Sequence, residues 1–456
     1  MRIVVVGAGS IGSSIAYELS KEEHDIVIID ELSAALNEIE ESQNDIFTIV
    51  GNGAALAVQK RAGVENSDLL IAATESDEVN MLSCLLAKKL GCKKTICRIK
   101  NPEYAQQARF MKNELGFSMV FNPELSAANE IYRLLQFPSF LHRDVFAKGR
   151  IELLGINIDE KSKLAGKRLD QIESIIKIKI LVCAVERDDD ITIPNGSFTL
   201  QEGDRITAII PKSLVGILVK RLGIATQKIK DVMIIGGSGI AVYLTDALIQ
   251  SGVSVKIIEH DKKRCEFLCE RLPKALIIYG DGSKQDILTE EGIRETDSIV
   301  ALTGIDEENL ILAIFANRVG VPKTVMKINR VEYSNLFHDR SIGSMVYPKQ
   351  IVAADVIRYV RAMSNTTGEA MKSLHRIVDG KVEALEFSVV YDERFVNKPL
   401  SELNMKKDIL IGSISRAGKV IIPQGTDSLQ VDDTVVIVAK STMRIDDLSD
   451  IFEGID

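Results

Sequence analysis

Gly7, Ala8, Gly9, Ser10, Ile11 and Gly12 form a GxGxxG run, and an acid, Asp30, stands 23 residues after Gly7. These residue types at this spacing suit the binding of a dinucleotide or an adenine nucleotide. The first glycine permits a tight turn, the second lets the backbone approach a pyrophosphate, and the third lets a helix pack close to a strand. The N–H groups and dipole at the start of that helix favour a phosphate. A carboxylate at Asp30 accepts hydrogen bonds from ribose hydroxyls and repels a 2′-phosphate. NAD(H) or a plain adenine nucleotide is thereby favoured over NADP(H). A glycine turn that serves structure alone is the competing reading.

The constellation recurs. Gly236 lies 229 positions after Gly7, and one offset carries the other landmarks across. The second run reads Gly236, Gly237, Ser238, Gly239, Ile240, Ala241, with Ser238 in place of Gly9 and Ala241 in place of Gly12. Glu259 replaces Asp30, and Asn52-Gly53 becomes Asp281-Gly282. Thr74, Asp77, Glu78 and Asn80 become Thr303, Asp306, Glu307 and Asn309. Arg98 becomes Lys327, and Glu103-Tyr104 becomes Glu332-Tyr333. Further on, IPNG at 193–196 returns as IPQG at 422–425, and Asp204 as Asp433, while Asp432 stands where the first half has Gly203. The frame is gapless over about 100 residues, then slips by three and returns, which marks duplication of the whole half-chain. With Ser238 adding a side chain where backbone should meet phosphate, the second loop is the weaker or differently posed site.

Ala73 and Thr74, and likewise Thr303, close the fourth strand pattern of each half, where ligands of open α/β sheets sit. The T-x-x-D-E-x-N stretches open a helix, with Thr or Asp as its cap and Thr facing the nucleotide. Arg98 and Lys327 end the fifth strand patterns, within reach of phosphates or held as salt-bridged surface charges.

No group is placed for catalysis. None of His24, His142, His260, His338 and His375 is shared between the halves, and no general acid or base stands beside a nicotinamide position. The six cysteines form no CxxC, and no HExxH occurs, so no metal centre is expected. Cys265 and Cys269 fall on one half-buried helix face.

The elements that position these residues are legible as βαβ units. Short β-branched apolar runs at 3–6, 26–29, 46–50, 69–73 and 95–99 alternate with helical periodicity, as do 232–235, 255–258, 275–279, 298–302 and 324–328. That alternation predicts a parallel sheet covered on both faces. Behind each lies a smaller α+β module: a strand at 178–185, a polar turn at 186–190, its return at 191–193 and a strand at 205–210. Connecting segments fall at 136–149, 223–230 and 362–374. The fold class is α/β: two tandem Rossmann-like parallel-sheet domains, at 1–136 and 229–361, each followed by a small α+β subdomain, at 147–226 and 372–456.

Composition sets outer bounds. The 456 residues carry a net charge of −9, are 46 % hydrophobic and only 5 % aromatic, and lack tryptophan. An acidic chain without stacking platforms is no nucleic-acid binder. No apolar run approaches the ~18–20 residues that span a bilayer. The chain begins MRIVVVGAG, directly in a strand pattern, so a soluble intracellular protein is expected.

With these motifs in hand, the chain resembles the peripheral nucleotide-binding subunit of Trk-type potassium uptake systems, built from domains that regulate potassium conductance (RCK domains). The resemblance rests on GAGSIG with Asp30, on TESDEVN and TGIDEEN, on the GNG/GDG pair, and on IPNG with Gly203-Asp204. It implies a cytoplasmic regulatory subunit, peripheral on the inner face of the cell membrane. This subunit would gate a membrane-embedded potassium-translocating partner and bind NAD(H), ADP or ATP. It also implies a homo-oligomer, in which two chains supply four RCK units to a pseudo-fourfold ring. The segments 124–135 and 352–360 are its candidate interface helices, or else ordinary core helices of their own domains. An NAD-dependent oxidoreductase with a duplicated cofactor domain, or a regulator of another potassium carrier, are the alternatives.

Overall fold

A computed structural model of the chain describes all residues except 23, 43–44, 103, 105–106, 137–142, 147–148, 160–161, 189, 224–227, 331–342, 365–370, 379–380 and 455–456. Glu103, Glu332, Tyr333, His142, His338 and parts of the three connecting segments therefore lie outside the described residues.

The first sheet contains β1 (Arg2–Val6), β2 (Asp25–Asp30), β3 (Ile46–Val50), β4 (Leu69–Ala72), β5 (Lys94–Arg98) and β6 (Met119–Phe121). Its order is β3-β2-β1-β4-β5-β6, and every pairing is parallel. Ile3–Val6 on β1 and all of β4 are buried, as strands covered on both faces must be. The order reverses between β1 and β4, and that reversal opens a crevice at their carboxyl ends.

Two strands of the small module follow, β7 (Arg143–Phe146) and β8 (Ile151–Asn157). Then come β9 (Leu181–Arg187), β10 (Asp190–Thr192) and β11 (Arg205–Pro211). They form an antiparallel sheet in the order β10-β9-β11-β8-β7. Strand β9 runs on to Arg187, past the expected turn, and the chain reverses at Asp188 (φ 48°). In the second copy Ala417 and Gly418 both take positive φ, which is the two-residue hairpin geometry.

The second half repeats both sheets. Strands β12 (Asp231–Ile235), β13 (Ser254–Glu259), β14 (Leu276–Tyr279), β15 (Ser298–Ala301), β16 (Lys323–Lys327) and β17 (Ser344–Val346) give the parallel order β14-β13-β12-β15-β16-β17. Strands β18 (Met371–Ile377), β19 (Val382–Ser388), β20 (Ile409–Arg416), β21 (Lys419–Ile421) and β22 (Thr434–Lys440) give the antiparallel order β18-β19-β22-β20-β21. Asp432 takes a left-handed φ of 70° where Gly203 takes 93°, so the turn survives the substitution.

Two compact units result. One contains Met1–Ala127 together with Tyr347–Val360; the other contains Ala128–Val346 and Arg361–Asp456. The helix Pro348–Ser364 thus lends most of its length to the unit built on the first half, with Val352, Val356, Ile357 and Val360 fully buried. Reading 352–360 as a core helix of its own domain is corrected accordingly. Within the second unit the two small sheets share one apolar core. Phe146, Leu153, Cys183 and Ile209 from one sheet join Ala384, Val436 and Val438 from the other. Among the described residues, no helix is long and apolar enough to cross a membrane, and no group of His, Cys, Asp or Glu is arranged to hold a metal ion.

Candidate nucleotide-binding site

The loop after β1 is pressed against the end of β4. Gly7 has φ +105°, and a Cβ there would lie 2.9 Å from Thr74 N and 3.1 Å from Ala73 O. A Cβ on Gly12 would come within 1.9 Å of Gly7 O, so only glycine lets the helix Ser10–Ser20 start so close to its loop. Gly9 differs: a Cβ there would meet nothing within 4 Å. Protein packing does not require glycine at that position, whereas backbone approach by a ligand does. Gly9 is also the N-cap of the helix and offers no side-chain cap. The helix terminus therefore faces this space with Ser10 exposed and Ile11 turned into the core.

Asp30 closes one side. Its Oδ2 accepts from Ala8 N at 2.6 Å and its Oδ1 from Leu32 N at 2.8 Å. A carboxylate has about four acceptor sites, so both oxygens keep capacity for ribose hydroxyls. The GNG turn closes another side. A Cβ on Gly53 would strike Val6 Cγ1 at 2.1 Å, and Asn52, exposed, accepts from Ala54 N. Gln59, fully buried, donates to Gly53 O at 2.7 Å and holds the turn in place. A lone glutamine carries no sequence signal for this role.

The TESDEVN stretch acts differently from expectation. Neither Thr74 nor Asp77 caps the helix Asp77–Leu90; Ser76 does, accepting from Val79 N at 3.2 Å. Thr74 is instead locked to Asn80, which also donates to Arg98 O at 3.1 Å and so ties the end of β4 to the end of β5. Asp77 accepts from Lys100 N and Asn101 N and fixes the turn after β5. Arg98 is buried, with Nη1 donating to Thr74 O at 3.2 Å and to Glu75 Oε1 at 2.8 Å. It is the salt-bridged form of this cation, at the edge of the crevice.

The second half reproduces the frame with a changed interior. Glu259 accepts from Gly237 N and Asp261 N, each at 2.7 Å, and His260 Nδ1 lies 2.9 Å from its Oε1. Thr303, Asn309 and Lys327 repeat the lock, with Asn309 donating to Lys327 O at 3.0 Å. Gly236 has φ +96°, and a Cβ on Gly282 would meet Ile235 Cγ2 at 2.5 Å. Asp281 accepts from Ser283 Oγ at 2.6 Å, and those hydrogen bonds from Ser283 hold its carboxyl below the usual range. The helix starting at Gly239, with Ile240 buried, is capped by Ser238, whose Oγ accepts from Ala241 N at 3.4 Å. Arg264 Nε donates to Gly237 O at 2.6 Å. The second loop therefore uses its own side chains where the first leaves open space.

The TrkA-N domain family matches residues 3–123 and 232–348, and the TrkA-C domain family matches 153–223 and 384–452. The chain belongs to the TrkA family. A Trk system potassium uptake protein TrkA homolog of Archaeoglobus fulgidus is 31 % identical over 440 residues, covering 96 % of this chain and 97 % of that protein. The Trk system potassium uptake protein TrkA of Haemophilus influenzae is 30 % identical over 460 residues, with 99 % of each covered. These TrkA relatives are named as components of uptake systems, not as enzymes. Among solved structures, the GsuK RCK domain superposes with a TM-score of 0.62 at 16 % identity, covering 97 % of this chain and 92 % of that one. A GsuK channel bound to NAD gives a TM-score of 0.62 at 17 % identity, covering 97 % and 77 %. These likenesses establish the tandem RCK fold of a TrkA chain.

Proposed function

We propose that this TrkA-family chain is a nucleotide-sensing regulatory subunit that gates potassium uptake by a membrane-embedded Trk-type partner. It acts from the cytoplasm as a peripheral protein on the inner face of the membrane. The observation that carries this reading is its similarity over nearly its full length to Trk system potassium uptake proteins. The open cradle at Gly9, flanked by Asp30 and the helix terminus, supports NAD(H), ADP or ATP as the ligand.

The residues have separable roles. Gly7, Ala8, Gly9 and Ser10 present backbone to the phosphates, Gly12 lets the helix start close to that loop, Asp30 takes the ribose, and Asn52, Gly53, Ala73 and Thr74 shape the walls. Arg98 stands at the phosphate end. A nucleotide changes the conformation only by binding one state better than another. A coupling of ~1–3 kcal/mol alters a partner's gating about five- to 150-fold. Two chains supply four RCK units, enough for a pseudo-fourfold ring beneath a channel-like partner.

The test is calorimetric titration of the purified chain with NADH, ADP and ATP, before and after Asp30→Ala. Loss of affinity in the variant is expected. Affinities unchanged for all three ligands would overturn the ribose assignment, and no binding by the unaltered chain would overturn the functional reading.

A further inference from the structure

The turn between β4 and the helix Asp77–Leu90 carries a carboxylate with no part in the roles assigned above. Glu75 is 80 % exposed, yet both its oxygens are engaged. Oε1 accepts from Arg98 Nη1 at 2.8 Å and Oε2 from Lys100 Nζ at 3.0 Å. Partial burial pushes this carboxyl up, but the hydrogen bonds and charges of Arg98 and Lys100 outweigh it and hold it below the usual carboxylate range.

The location gives the contact its meaning. The same Arg98 Nη1 lies 3.2 Å from Thr74 O and 3.5 Å from Ala73 O, and Ala73 O lies 3.1 Å from where a Cβ on Gly7 would stand. Arg98 therefore stands beside the glycine loop, and Lys100 is joined to it through Glu75. The Arg98 side chain is only 7 % exposed, so an anionic partner favours its charge. A carboxylate bridging two cations occupies the place a phosphate takes in the same chemistry. The second half lacks the device: Gly304, Lys327 and Asn329 stand where Glu75, Arg98 and Lys100 do.

We propose that Glu75 is a tethered anion that occupies Arg98 and Lys100 until a phosphate of the bound nucleotide replaces it. The inference rests on the nucleotide-binding reading above and deepens it. A ligand whose charge ends at the glycine loop leaves Glu75 in place. One whose phosphate chain extends further must displace it. Glu75 therefore weakens ATP relative to NADH, whose diphosphate is closed off by a second nucleoside.

The test is calorimetric titration of the full chain with ATP and with NADH, for the unaltered protein, Glu75→Gln and Glu75→Gly, with thermal unfolding to verify folding. Both substitutions are expected to raise ATP affinity roughly three- to tenfold, the scale of one charge contact near a surface, and to leave NADH unchanged. Adding Lys100→Met to Glu75→Gln is expected to cancel the gain. An ATP-to-NADH affinity ratio unchanged in both Glu75 variants overturns the inference while leaving nucleotide binding intact. Absence of binding by every form, unaltered chain included, overturns the functional reading itself.

Discussion

Asn80 holds Thr74 through three hydrogen bonds across a single turn: Thr74 N and Oγ1 both donate to its Oδ1, at 2.8 and 2.7 Å, and its Nδ2 donates to Thr74 O at 3.0 Å. Asn309 and Thr303 repeat the arrangement. Asn80 is fully buried, so truncation strands several polar groups at once. Asn80→Ala is expected to destabilise the first domain by about 2–4 kcal/mol. Chemical denaturation read by circular dichroism checks this, and a loss under about 0.5 kcal/mol would be incompatible with the lock.

The glycines of the first loop separate folding from binding. Gly12→Ala drives a methyl into Gly7 O and is expected to cost about 1–3 kcal/mol in strain. Gly9→Ala places its methyl in open space, so the melting temperature should hold while nucleotide affinity falls on the order of tenfold, or 1.4 kcal/mol. Paired thermal melts and titrations distinguish the two. Equal stability losses in both variants would contradict the difference in packing.

Asp204, 1 % exposed, is held by Arg187 through Nε and Nη2 at 2.7 and 2.8 Å and by Gln201 N at 2.7 Å. Arg416 and Asp433 form the same pair in the second copy. Arg187→Met leaves a buried carboxylate without its countercharge. A loss of about 2–4 kcal/mol is expected, below the full buried-pair figure because Arg187 is partly exposed. An unfolding midpoint indistinguishable from that of the unaltered chain would refute it.

Thiol reactivity offers an independent check. Cys84, Cys92, Cys97, Cys183 and Cys265 are buried, and Cys269 alone is exposed. Burial pushes the Cys183 thiol up to about 12 and raises Cys84, Cys92 and Cys265 as well. Thiolates are the reactive form, so a neutral-pH alkylating reagent should label Cys269 alone in the native protein and all six after denaturation. Mass spectrometry of the labelled peptides decides the matter, and prompt native labelling at Cys183 would count against the fold.

The parallel strands were readable to within a residue or so because a doubly covered strand must be almost wholly apolar, as Ile3–Val6 and Leu69–Ala72 are. Edge strands were not. Met119–Phe121 and Ser344–Val346 are three residues long and carry too little pattern. Glu186 and Arg187 looked like a solvated turn, yet they extend β9, because Arg187 pairs with Asp204 and Glu186 with Arg205. The glycines and acids of the cradle stood out because backbone geometry dictates their type. Gln59, Glu75 and Arg264 did not, since their roles depend on atoms that only the fold brings near. The exchange of the helix Pro348–Ser364 into the unit of the first half was equally silent, because amphipathic spacing says that a face is buried but not against what.

The shared core of the two small sheets ties the evolution of the repeats together. Position 412 is the counterpart of Cys183, but it is glycine, and a Cβ there would lie 2.2 Å from Ile209 Cδ1 of the first copy. The two copies are therefore complementary rather than interchangeable at this point. A gene-conversion event that wrote cysteine into both would require the Ile209 side chain to shift. Having once been duplicates, the halves now fit one another at this position through different residues.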